Sequence, residues 1–328
     1  MAHAQSPQSR LPEAPAPVLR RLSIGGVSLL VLDEGHPGLL YGGNKVRKLR
    51  GILAHALSIG ARDVLTFGAW GSHHVYGTAV WGARVGVRTH AVWIRQPETP
   101  HVRRMAEASH EVCASVHVAA SLAELPLVTA RVTARIVART GRAPLRVPPG
   151  GSSRDGTRGW VALGAALPAA VHAHGEDAPE AIVVASGSGG TASGLLASGF
   201  RVCAVRVGPR ALTNRARLRH LARRGGGEQL GELEVEHGFL AGGYGHVDER
   251  TRGAWELGRE AGLPVETTYS AKALACALER ARGGERVLYV QTASAVEPPP
   301  APPLPGGLSD ALALHGTSGR TARPDAAD

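Results

Sequence analysis

The 328 residues predict an α/β protein with mostly parallel sheets flanked by helices, on three observations. Short apolar runs alternate with longer amphipathic ones, the pattern of strands that cross over through helices. The glycine-rich turns follow apolar runs or open helical ones, where open α/β sheets bind their ligands. Finally, there are more strand runs than one layer accommodates, which suits two α/β layers, and the length suits about two domains.

In chain order, 27–32 reads as a strand, and 45–58 as a helix with Leu49, Ile52, Leu53 and Leu57 on one face. A short strand at 64–67 precedes a helix at 73–84 and a strand at 89–94. A polar helix near 100–109 leads to a strand at 114–118 and a long helical pattern over 122–140. The turn Gly150-Gly151-Ser152-Ser153 enters a helix at 157–174. Buried strands follow at 181–185 and 202–207, helices at 246–262 and 271–282, and a last strand at 286–291. Residues 1–17, rich in Ala, Pro, Gln and Ser, and 297–328, which opens on a proline cluster, read as disordered ends.

Hydrophobic residues make up 43% and charged residues 20%, a globular composition. No apolar run approaches the roughly 20 residues of a membrane span. The start lacks the apolar core of a secretory signal, so the cytoplasm is the expected location. Cys113, Cys203 and Cys276 are odd in number and far apart, which supports neither a disulfide framework nor a zinc knuckle. The net charge is +10, yet the arginines are spread along the chain and aromatics are only 4%, so nucleic acid is not the expected partner.

Of the 37 basic residues only Lys45, Lys48 and Lys272 are lysine. Arginine supplies generic positive charge, but it cannot lose its proton and act as an amine nucleophile, as lysine can. Chance survival on a solvated helix face is the plainer account of Lys48 and Lys272. Lys45 is different: it follows Gly42-Gly43-Asn44 at a helix start, whose partial positive charge disfavours the ammonium form, with Arg47 and Lys48 acting the same way. Such an amine is suited to condense with an aldehyde cofactor.

The run Ser186-Gly187-Ser188-Gly189-Gly190-Thr191 follows the strand at 181–185. Successive N–H groups before a helix start, with added hydroxyls, make a phosphate cradle. Gly187-x-Gly189-x-x-Ala192 also meets a loose dinucleotide fingerprint. The acid expected at the end of the next strand is missing there; Arg206 would have to take an NADP phosphate, and Lys45 would have no role. Ser72 beside His73 and His74 lacks the nucleophile elbow of a hydrolase. Metal binding by His73, His74 and His90 is less expected than packing or solvation, and no metal is assigned.

Gly42-Gly43-Asn44-Lys45-Val46-Arg47-Lys48-Leu49 resembles the Gly-Gly-Asn-Lys-x-Arg-Lys-Leu segment of the 1-aminocyclopropane-1-carboxylate deaminase and D-cysteine desulfhydrase family. Further segments agree in order: Gly71-Ser72-His73-His74, Pro149-Gly150-Gly151-Ser152, the loop 186–194, Gly243-Tyr244-Gly245, 265–272 and 287–294. The resemblance runs over about residues 20–295. It implies the tryptophan-synthase-β-like, fold-type-II pyridoxal 5'-phosphate architecture, with Lys45 as the Schiff-base lysine that then shuttles the substrate α-proton. By the same resemblance Ser188, Gly189, Gly190 and Thr191 hold the phosphate, and Asn44 and His73 contact the cofactor. Thr292 would bond its pyridine nitrogen, Ser72 would sit near the substrate carboxylate and act as a base or nucleophile, and Tyr244 and Tyr269, also catalytic, would approach the substrate from the other side.

His73 stands where the family has asparagine, and Ala293-Ser294 replace a glycine pair. Tyr269-Ser270 stands where the deaminase branch has Tyr-Glu. A threonine and a serine favour a neutral pyridine, a weaker electron sink that suits early loss of a β-substituent. The expected reaction is therefore desulfhydrase-like β-elimination from a small amino acid, giving ammonia and a 2-oxo acid. Cyclopropane opening, a silent cofactor-binding protein and an NADP oxidoreductase are the alternatives. Two domains are expected, a large one over 18–50 and 161–296 and a small one over 51–160, with the cofactor in the cleft; a homodimer is expected from the resemblance alone.

Overall fold

A computed structural model describes residues 7–313. After a short 3₁₀ turn at Pro7–Arg10 come β1 (Leu19–Ile24), β2 (Val27–Asp33), α1 (Lys45–Ser58), β3 (Asp63–Ala69), α2 (His73–Arg84) and β4 (Arg88–Ile94). Then follow α3 (Pro100–Val112), β5 (Ser115–Ala119), α4 (Leu125–Thr140), β6 (Leu145–Val147) and α5 (Arg154–Ala173). The remainder holds β7 (Ala181–Ser186), α6 (Gly190–Ala197), β8 (Val202–Arg206), α7 (Arg215–Gly225), β9 (Leu233–Glu236), α8 (Glu249–Glu260), α9 (Ser270–Arg282), β10 (Val287–Gln291) and α10 (Gly306–Ala313).

Two sheets result. One has six strands in the order β1-β2-β10-β7-β8-β9, the other four in the order β5-β4-β3-β6. Every pairing is parallel except β1 with β2. Central strands of parallel sheets are covered on both faces and so need apolar residues throughout. β7 and β10 are buried at every position. One face of the larger sheet packs on α9 through Leu274, Cys276 and Leu278; the other packs on α5 and α6 through Trp160, Leu163, Leu195 and Leu196.

Several elements escape the sequence reading for physical reasons. β1 carries Arg20 and Arg21 on a sheet edge, where charge is tolerated and the apolar alternation is lost. Five of the eleven residues of α7 are arginine, and only Leu218, Leu221, Ala222 and Gly225 mark its inner face. The three residues of β6 are too few to show a period.

The expectation of disordered ends is corrected where those ends are described. The carbonyls of Pro12 and Pro15 accept from Arg50 (2.8 Å) and Arg47 (2.7 Å). At the other end Leu304 and Leu312 pack with Trp70, Trp93 and Val102, and Arg95 donates to the Ala311 carbonyl at 2.8 Å, so α10 is docked. A few anchors hold a segment whose composition gives no periodic signal. Residues 1–6 and 314–328 lie outside the described residues.

α1 is joined to the end of β2 by a buried ion pair. The Arg47 guanidinium, 3% exposed, grips both oxygens of Glu34, 0% exposed, with Nε–Oε2 and Nη2–Oε1 both 2.8 Å. Removing one partner strands the other charge out of water, so Arg47→Ala should destabilise the fold by about 3–5 kcal/mol. Urea unfolding followed by far-ultraviolet circular dichroism checks this; an unchanged midpoint would mean that the pair contributes nothing.

Candidate active site

The carboxyl ends of β3, β7 and β10 converge on a cavity of about 370 Å³ lined from both sheets. One wall is the start of α1. Gly43 takes φ +79 and lies against the end of β10, where a side chain would meet the Thr292 carbonyl at 3.0 Å; the Asn44 N–H donates to that same carbonyl at 3.1 Å. This tight seam sends Lys45 into the cavity. Its Nζ donates to Asn44 Oδ1 at 2.5 Å, and Asn44 Nδ2 donates to Thr191 Oγ1 at 3.0 Å, linking the amine to the glycine-rich loop. Burial lowers the Lys45 pKa to about 8 against the opposing pull of Glu266, so about one amine in ten is unprotonated at pH 7 and about half at pH 8.

The loop after β7 forms a cradle. Gly189 takes φ +86, turning the chain into α6, whose first N–H groups have no carbonyl one turn back to bond. The Gly190 N–H donates to Ser152 Oγ at 3.0 Å, and that hydroxyl donates to Ser188 Oγ at 2.8 Å. A side chain at Gly190 would fill the cradle, meeting Ser152 Oγ at 2.7 Å and Lys48 Nζ at 3.1 Å. Lys48 donates to the Gly150 carbonyl at 3.2 Å, and burial and the nearby Lys45 hold its pKa well below the usual lysine range. Hydroxyls, backbone donors and an amine thus surround a space walled by glycine, which fits a phosphate group.

Lys48 is 3% exposed and Lys272 is fully buried, so neither survives on a solvated face; they donate to the carbonyls of Gly150 and Leu240. Glu266, Tyr41 and His101 also line the cavity and were missed, and Ser152, quoted only within its glycine turn, bonds Ser188 beside it. Glu266 sits inside the quoted stretch 265–272, but nothing in its neighbours marks it as turned inward. Its carboxylate accepts the N–H groups of Thr268 (2.7 Å), Tyr269 (2.9 Å) and Ser270 (2.8 Å), capping α9. Ser270 bonds Glu266 and does not line the cavity.

The remaining expected residues gather here. Ser72 stands at the N-cap of α2, where its carbonyl accepts the Tyr76 N–H at 3.1 Å and its hydroxyl makes no capping bond. Thr292 lines the wall beyond β10, and beside it Ser294 Oγ accepts the Gly42 N–H at 3.1 Å. The Tyr244 and Tyr269 hydroxyls meet at 2.5 Å. Burial raises the Tyr244 pKa to about 12, eased by the Tyr269 bond, and burial raises Tyr269 well above its usual range, so both stay protonated. His90 lies elsewhere, against Asp63 and Ser115, and Arg206 is turned to His237 (2.8 Å), away from the cavity lining.

His73 lies between two partners, with the Tyr41 hydroxyl 2.5 Å from Nδ1 and His101 Nε2 3.1 Å from its Nε2. Burial, then His101 and Lys45, lowers its pKa from the ordinary 6.5 to about 3; burial, then Lys45 and Lys48, lowers His74 to about 3 as well. The unfolded chain therefore binds protons that the fold refuses. Stability should be full above pH 6.5 and fall as the pH drops toward 3, by about 1.4 kcal/mol per unit for each ring. Urea unfolding at pH 7 and pH 5 measures the loss, and His73→Asn should remove about half of it; an equal loss in the variant would exclude His73.

A family described as pyridoxal-phosphate dependent enzyme matches residues 10–207. A Pyrococcus horikoshii protein that bears a provisional 1-aminocyclopropane-1-carboxylate deaminase name is 30% identical over 81% of this chain and 84% of its own. A D-cysteine desulfhydrase from Serratia proteamaculans is 28% identical over 89% of this chain and 95% of its own. Among solved structures, a homologue of 1-aminocyclopropane-1-carboxylate deaminase superposes with TM-score 0.72 at 26% identity, over 86% of this chain and 90% of that one. A threonine deaminase at 19% identity and TM-score 0.58 shares the fold.

Proposed function

The chain belongs to the pyridoxal-phosphate-dependent enzymes, in the family of 1-aminocyclopropane-1-carboxylate deaminase and D-cysteine desulfhydrase, and from that premise we propose that it catalyses β-elimination from D-cysteine or a close analogue. When bound, pyridoxal 5'-phosphate supplies an aldehyde for amine exchange and a ring that accepts electrons from the substrate α-carbon. The residues of the cavity provide the rest. Ser188, Gly189, Gly190 and Thr191, with Ser152 and Lys48, would hold the phosphate, and Asn44 and His73 would contact the cofactor. Lys45 would hold the cofactor through Nζ and would carry the substrate α-proton on that same atom. Ser72, its hydroxyl free at the start of α2, receives the substrate carboxylate. The protonated Tyr244–Tyr269 pair delivers a proton to the leaving sulfur as the bond from the β-carbon to sulfur breaks. Water then completes the balance, giving a 2-oxo acid, ammonia and hydrogen sulfide.

The observation that carries elimination over ring opening is the state of the acids. Glu266 is the one carboxylate lining the cavity among the described residues, and three backbone N–H groups occupy it. Thr292 lines the cavity and would offer its hydroxyl to the ring nitrogen, which favours a neutral pyridine. The reading keeps the two-domain division at 18–50 with 161–296 and 51–160, a cytoplasmic location and a homodimer as its setting. Light scattering on the purified protein tests the dimer.

The deciding assay offers D-cysteine, L-cysteine and 1-aminocyclopropane-1-carboxylate in parallel and measures sulfide, ammonia and 2-oxo acid. Sulfide and 2-oxo acid in equal amounts from D-cysteine, with little ammonia from the cyclopropane, is expected. Preferential turnover of the cyclopropane would overturn the choice, and no turnover of any of them would favour a silent cofactor-binding protein.

A further inference from the structure

The third lysine of the chain has no part in the chemistry above, yet it is one of the largest fully buried side chains. Lys272 lies in the first turn of α9, three residues after Tyr269. An ammonium there is unfavourable twice over, because it is out of water and because it sits at the positive end of a helix. Its partners offset this cost. Nζ donates to the Leu240 carbonyl at 2.8 Å and reaches the Gly243 carbonyl at 3.4 Å. The acids facing it are Asp248, at the start of α8, and Glu266, ahead of α9; both oppose the lowering of its pKa by burial.

Those two carbonyls belong to the loop that carries Tyr244. The loop has little else to fix it. Between Phe239 and Thr251 no residue is buried, and Ala241, Gly242 and Gly245 all take positive φ. The Tyr244 side chain nonetheless reaches the cavity and meets the Tyr269 hydroxyl, the rings edge to face with centroids 5.8 Å apart.

We propose that Lys272 is a positioning residue, whose buried ammonium ties the 240–245 loop to α9 and thereby holds the Tyr244 hydroxyl against Tyr269 in the cavity. One side chain fixes both members of the pair, because Tyr269 precedes it on the same helix start. The need for a compact ammonium with three donors, in place of arginine's broad planar fork, accounts for a lysine here in an arginine-rich chain. The anchoring stands on contacts within this chain; only its consequence for turnover rests on the functional reading.

Hydrogen exchange resolved by peptide, on wild type and Lys272→Met, tests the tie directly. Amides of 240–246 should exchange at least tenfold faster in the variant, while β7, β8 and β10 keep their protection. Tyrosinate absorbance between pH 9 and 11 should gain one early-ionising tyrosine in Lys272→Met, and the gain should vanish in Lys272→Met with Tyr244→Phe. If D-cysteine is turned over, kcat should fall at least tenfold with the visible cofactor band unchanged, and adding Tyr244→Phe should cost little more. Should Lys272→Met fail to fold, Lys272→Gln, which keeps a donor, replaces it. Unchanged loop exchange, exchange raised equally everywhere, additive effects of the two substitutions, or failure of both variants to fold would each overturn the proposal. Absence of a cofactor band in the wild type would count against the functional reading, and the exchange result would still decide the anchoring.

Discussion

Lys45→Ala will lower turnover by at least about 10³-fold, the largest effect expected of any substitution in the cavity, because it removes both the covalent anchor and a proton carrier. The size follows from the environment. With its pKa near 8, about half of the Lys45 amine is neutral at pH 8, against roughly 1 in 300 for a lysine at the ordinary 10.5. Lysine-specific labelling with formaldehyde and cyanoborohydride, resolved by peptide, should therefore rise at Lys45 as the pH passes about 8 and level off above it. Steady-state assay of Lys45→Ala, with free amine added back, separates a lost nucleophile from a damaged fold. Residual activity within tenfold of wild type would remove Lys45 from the chemistry.

Gly189→Ala will weaken pyridoxal phosphate binding by at least about 100-fold, equivalent to about 2.7 kcal/mol. The backbone there has φ +86, which disfavours any residue with a Cβ, and a Cβ would approach Leu218 Cδ2 to 2.3 Å. Relief of either strain rotates the N–H groups that open α6 away from the phosphate position. Fluorescence titration with pyridoxal phosphate reads the affinity, and circular dichroism verifies that the variant folds. Unchanged affinity in a folded variant would place the phosphate elsewhere.

Much of this site was legible in the chain, because the features that build it are local. Lys45 with the preceding Gly42-Gly43-Asn44, and the strand–turn–helix at 181–197, need only short-range pattern and turn chemistry to be read. α1 and α2 begin where the sequence places them, at Lys45 and His73. What stayed hidden depends on contacts between distant segments. Lys48 and Lys272 look like solvated helix residues until their partners, the Gly150 and Leu240 carbonyls, are brought in from other loops. Glu266 reads as a surface acid until the turn into α9 wraps three N–H groups around it. His73 was singled out as a departure, but its link to Tyr41 and His101 joins three loops that no spacing rule connects. The departure at Ser270 was read as if it faced the ring; it bonds Glu266 behind the wall.

The central claim, that the cavity is a pyridoxal phosphate site anchored at Lys45, is tested most directly by one experiment. The protein is incubated with pyridoxal phosphate, reduced with borohydride, digested, and mapped by mass spectrometry, with Lys45→Ala alongside. The account predicts a visible absorption band that borohydride removes and a single phosphopyridoxyl group on the Lys45 peptide, both missing from the variant. A label on Lys48 or Lys272 instead, or no label on the wild type, would contradict it.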